Sequence, residues 1–147
     1  MITRATINIS ASADQVWGVF TDVVSWPSWT PSVTILEALD GPAIERGHRF
    51  RIKQPRLPAL VWEVTDLDPR RSWTWVVRSV GATTSARHEV SPIDASSCVV
   101  TQILDQRGVL GVVFALITRR MTRRYLSMEG AGLKAASEER SALAARP

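Results

Sequence analysis

The sequence predicts an α+β fold: a seven-stranded antiparallel curved sheet wrapped around a long C-terminal helix, with two short helices between strands 1 and 2. Three observations carry this. Between residues 33 and 105 short runs alternate apolar and polar residues, and turn residues punctuate them. One further alternating run stands before them, set apart by a helical segment. From Gly108 to Glu139, apolar residues recur at steps of three and four, the spacing of a helix with one buried stripe.

Thr3 to Ser10 reads as the first strand, with Ile7 and Ile9 on one face. Ser12 and Asp14 offer N-cap oxygens to a short helix striped by Val16, Trp17, Val19, Phe20 and Val23. In Trp26-Pro27-Ser28-Trp29-Thr30-Pro31 two prolines forbid a regular helix or central strand, leaving a loop or a single helical turn. Six strands follow, over 33–39, 49–54, 59–66, 72–80, 83–90 and 97–105. Asp40-Gly41-Pro42, Pro55 to Pro58, Asp68-Pro69-Arg70-Arg71, Gly81 and Ser91 to Ser96 break them. Turns this short require antiparallel neighbours, because a parallel crossover takes about a dozen residues. In the last helix Leu110, Phe114, Ile117, Met121, Tyr125 and Met128 form the stripe. Gly130 and Gly132 mark a bend or a close approach to the backbone.

A chain of 147 residues fits one domain spanning 1–147, with its core over 3–139 and a tail over 140–147. A single cysteine, Cys98, rules out an internal disulfide and suits a reducing interior. The N-terminus lacks the basic and apolar regions of a signal peptide. The apolar run Val109 to Ile117 is far shorter than the ~20 residues that span a bilayer. A cytoplasmic protein is expected. The net charge of +4 is almost wholly arginine, as Lys53 and Lys134 are the two lysines. The arginines are scattered apart from Arg119, Arg120, Arg123 and Arg124, so no nucleic acid is expected. That cluster reads as a solvated helix face, as a transient contact with anionic lipid headgroups, or as a surface for another partner.

Taken in order, Ser12-Ala13-Asp14-Gln15-Val16-Trp17, Asp22 with Trp26-Pro27-Ser28-Trp29, Gly47, Trp62-Glu63-Val64, Asp68-Pro69 and the closing helix resemble the START and birch-pollen-allergen superfamily. The likeness is specifically to its polyketide cyclase/dehydrase branch, and it runs from Thr3 to Glu139. The resemblance implies a helix-grip fold with a pocket between sheet and helix. It also implies a ligand that is a lipid, polyketide or other aromatic or isoprenoid-like molecule.

If the sheet's inner face follows Phe50 and Ile52, it also holds Trp62, Trp73, Trp75 and His88. With Trp26, Trp29, Phe114, Ile117, Met121 and Tyr125 these are the candidate ligand-binding residues; the tryptophans serve equally well as plain core. His88 is the candidate catalytic residue, able to move a proton or anchor a ligand oxygen, or else a structural histidine. No spacing of His, Cys or acids suggests a metal site, and no cofactor is expected. The first expectation is therefore binding of a small hydrophobic molecule by a monomer or homodimer. Its alternatives are a cyclase or dehydratase using His88 without metal or cofactor, and a non-catalytic regulatory module.

Overall fold

The computed structural model describes residues 1–147. Seven strands form one antiparallel sheet: β1 (Ile2–Ile9), β2 (Ile35–Ala38), β3 (Arg49–Lys53), β4 (Leu60–Asp68), β5 (Ser72–Ser79), β6 (Ala82–Asp94) and β7 (Ser97–Arg107). Their order is β1-β7-β6-β5-β4-β3-β2, so sequence neighbours pair from β2 to β7 and β1 closes on β7. Bulges interrupt the register between Val64 and Asp66 and between Pro92 and Asp94. The expected strands are all present, and β6 runs four residues further than alternation suggested because Ser91 to Asp94 still pair with β7.

Helix α1 (Ala13–Thr21) begins at a capping box: Ser12 Oγ accepts from Gln15 N–H and the Gln15 side chain accepts from Ser12 N–H. A six-residue 3-10 helix, Val23–Ser28, follows and crosses from the β1 side of the sheet toward β2. Val16, Phe20, Val23 and Trp26 are fully buried beneath the sheet's concave face, with Ile9, Phe50, Trp73 and Val100 opposite them.

The C-terminal third differs from expectation. It is not one helix but two, α2 (Val109–Ile117) and α3 (Arg119–Ala144), parted at Thr118. Thr118 adopts φ −96° and ψ 8°, and its hydroxyl donates to the Phe114 carbonyl at 2.8 Å. Such return of a hydroxyl to the carbonyl four residues back bends helices. The apolar repeat passes through the break in step, so periodicity alone does not reveal it.

The bend is not at Gly130 or Gly132, over which α3 runs unbroken to Ala144, five residues past the expected end. Gly132 is instead a place of close approach. A Cβ there would fall on the Trp29 carbonyl oxygen and lie 3.0 Å from the Trp29 ring. At Gly130 a Cβ would meet Ile7 at an ordinary 3.7 Å. Lys134 donating to the Asn8 carbonyl and Ser10 N–H donating to Glu138 tie α3 to the end of β1.

Candidate functional site

Between the first half of α3 and the concave face lies a cavity of about 130 Å³. Fifteen of its 23 lining residues are hydrophobic. Strand register explains the wall. Val64, Trp75, Ala86 and Leu104 pair in turn as one apolar row across four strands, and Phe50 pairs with Trp62 in the row beside it. A second row runs Trp73, His88, Gln102, Ala5 and turns polar at its centre. The loop between β3 and β4 closes one side through Gln54 and Leu57, and Tyr125 holds it by donating its hydroxyl to the Pro55 carbonyl.

Eight of the twelve expected ligand-binding residues line this cavity: Trp26, Ile52, Trp62, Trp75, His88, Phe114, Met121 and Tyr125. Four do not. Phe50 faces inward as expected but is sealed beneath Trp75, ring centroids 5.9 Å apart. Trp73 is enclosed by Trp17, Phe20 and Trp26, and Trp29 packs against Trp26 and α3. Ile117 ends α2 pointing to solvent. Alternation gives the face of a strand, not which part of that face is roofed by helix and which by void.

His88 is 3 % exposed. Its ring stacks on Trp73 at 4.2 Å and meets Phe20, Trp26 and Trp75 edge-on. Burial drives its pKa down to about 3, against a smaller opposing effect of the Trp73 backbone. The imidazole is thus neutral at physiological pH and poorly suited to accept a proton there. Its Nδ1 is buried without a hydrogen-bond partner, as is the Trp73 indole nitrogen.

The titratable group that sequence reasoning missed is Glu129, on the cavity wall and 7 % exposed. Ser32 Oγ donates to its Oε1 at 3.1 Å and Gln102 Nε2 to its Oε2 at 2.7 Å; Thr30 supports Ser32 at 2.8 Å. These neutral partners are its only ones, and no cation pairs with it. Burial raises its pKa to about 7, outweighing the two hydrogen bonds. Gln102 links the two titratable residues, paired across strands with His88 and bonded to Glu129. A signal for Glu129 was present: Tyr125, Glu129 and Leu133 lie four apart, and the acid sits squarely in the buried stripe of α3. The other candidates are quieter. Cys98 is buried, which pushes its thiol up, and His48 pairs with Glu45 near the surface. No three metal-binding side chains come together.

The profile of the family described as polyketide cyclase/dehydrase and lipid transport matches residues 2–138. The chain belongs to this family. Solved structures similar to it include norcoclaurine synthase from Thalictrum flavum, at 15% identity and TM-score 0.76, covering 95% of each chain. The Zhui aromatase/cyclase from Streptomyces sp. R1128 has 19% identity and TM-score 0.74, covering 95% of this chain and 94% of that one. A START superfamily protein from Mycobacterium smegmatis has 16% identity and TM-score 0.76, covering 94% and 97%. At these identities the likeness establishes the helix-grip fold. No curated protein matches the sequence. A second norcoclaurine synthase structure contains dopamine and hydroxybenzaldehyde.

Proposed function

We propose that this protein binds one compact, mainly apolar molecule, of about the bulk of a single substituted ring, between α3 and the sheet. The cavity carries the reading. At about 130 Å³ it is near the size that holds benzene and well below the usual range of drug-sized sites. Trp62, Trp75, Leu60 and Leu104 supply apolar wall, and Gln102, His88 and Glu129 gather at one polar end. A ligand hydroxyl or carbonyl placed there meets donors and acceptors that burial has already desolvated. The family description and the aromatic pair held by norcoclaurine synthase agree with an aromatic or polyketide-derived occupant.

Titration with hydroxybenzaldehyde, together with mass spectrometry of material that co-purifies with the protein, tests this. Saturable quenching of Trp62 and Trp75 fluorescence, abolished by filling the cavity with Ala86→Phe, is the expected result. Absence of both saturable quenching and any co-purifying small molecule would refute it.

A second reading, cyclase or dehydratase chemistry, rests on Glu129. A carboxyl group with a pKa of about 7 is nearly half-protonated at neutral pH, where general acid or base catalysis is most effective. On an identified substrate, Glu129→Gln should lower turnover by 10²-fold or more with little change in binding. Equal turnover by the variant would remove the role.

A further inference from the structure

The cavity leaves one surface unexplained. α2 carries no charge, yet Val109, Leu116 and Ile117 are 81, 60 and 78 % exposed. Beside it the tip of the β5–β6 hairpin holds Val80, 92 % exposed, and Leu110 packs over Gly81 of the same tip. The helix is seated firmly. Leu110 N–H donates to the Gly81 carbonyl at 3.1 Å, and Gly108 at φ +87° leaves no room for a Cβ against that oxygen. Contiguous exposed apolar surface of this kind marks an interaction site.

Charge names the partner. From Gln106 to Met128 the chain has no Asp or Glu. Arg119, Arg120, Arg123 and Arg124 follow α2 directly, all exposed, and none enters an ion pair.

We propose that α2 and the β5–β6 tip dock on an anionic lipid surface. The apolar helix lies at the boundary of headgroups and acyl chains, and the four arginines engage lipid phosphates. Nine residues make a helix of roughly 14 Å, suited to lying in the interface, and no helix here is long and apolar enough to cross a membrane. Guanidinium groups fit phosphate oxygens in pairs and shed water more readily than ammonium groups do. A second copy fits this face poorly. Two copies meeting symmetrically would bring four arginines from each to one rim with no carboxylate between them. Because Phe114 of α2 lines the cavity, docking brings that side of the cavity to the bilayer.

Flotation with vesicles of phosphatidylglycerol and phosphatidylcholine, compared with phosphatidylcholine alone, tests the proposal. Binding to the anionic vesicles that weakens with added salt is expected. The double variant Arg120→Gln, Arg124→Gln should weaken it about thirtyfold. Leu116→Ser with Ile117→Ser should weaken it at least tenfold with an unchanged melting temperature, since both side chains are already in solvent. No binding to anionic vesicles, or binding unaffected by either variant, overturns the proposal. A dimer that the serine variant splits, without vesicle binding, assigns the face to a second copy and overturns it equally.

Discussion

The two C-terminal helices reverse the usual relation between hydropathy and burial. α2 is apolar throughout and buries only Gly111 and Ala115, its smallest residues. α3 is rich in charge and buries Tyr125, Glu129, Leu133 and Ser137. Place in the fold decides this, not composition. α3 lies along the concavity between β1 and α1, whereas α2 rides on the rim at the β5–β6 tip, with Gly111 against Ala82 and Leu110 over Gly81. Hydropathy states what a side chain would gain by leaving water, and the sheet's curvature states which helix has somewhere to go.

Substitutions in the two helices should therefore differ sharply, beginning with the largest effect. Gly132→Ala places a Cβ against the backbone of Trp29, where neither strand of chain can yield without parting α3 from the 3-10 segment. A loss of more than about 4 kcal/mol in urea unfolding is expected, at the extreme for a single methyl group. Leu133→Ala, at a site 1 % exposed, should cost about 3 kcal/mol by the same measurement. A cost below 1 kcal/mol in either would show that α3 is not the buried member of the pair.

Next come the two buried titratable residues. Glu129 has its folded pKa raised to about 7 from 4.5, so its stabilising protonated form is fully present below about pH 4.5 and is lost as pH rises through 7. His88 has its folded pKa lowered to about 3 from 6.5, so its contribution is complete above about 6.5 and is lost as pH falls toward 3. Between about 4.5 and 6.5 the two slopes oppose and stability is flat. Glu129→Gln should turn the flat stretch into a rise that continues to about pH 6.5, a gain of at most about 3 kcal/mol at pH 8 and none at pH 4. Chemical denaturation across pH reads both slopes, and a flat stretch that persists in Glu129→Gln would show that another group causes it.

The smallest effects are the most diagnostic. Leu116→Ala in α2 and Gly130→Ala in α3 should each stay within about 1 kcal/mol of the parent, the first because its side chain is in water, the second because Ile7 accommodates a Cβ. Thermal melts of the pair check this. A large loss in Leu116→Ala would mean that α2 is covered in solution.

Much of the fold was legible because a strand's period is short and each run carries its own evidence. Phe50 and Ile52 announce an inner face in five residues, and Asp68-Pro69 or Gly81 announces a turn in two. The break at Thr118 was not legible, because Leu110, Phe114, Ile117, Met121 and Tyr125 keep helical step across it and a hydroxyl, not a glycine or proline, makes the bend. The site was legible in part for a related reason. Register placed His88 inward, but its environment depends on rings brought from α1, the 3-10 segment and β5, residues remote in sequence. Glu129 was hidden by its own chemistry: an acid on a helix suggests water until Ser32 and Gln102 are known to face it.

The order of strands also bears on how the chain assembles. From β2 to β7 each strand pairs with the next, closing loops of two to ten residues. β1 must find β7 across most of the sequence, pairing Ile2 with Asp105, and α3 needs β1 and α1 in place to complete its own packing. Loop-closure entropy makes such distant pairing the slow event. The six-stranded meander is expected to form ahead of the β1 edge and α3. Pulsed hydrogen exchange during refolding should protect the amides shared by β5 and β6 before those shared by β1 and β7. On this account the binding cavity, roofed by α3, is the last part of the molecule to exist.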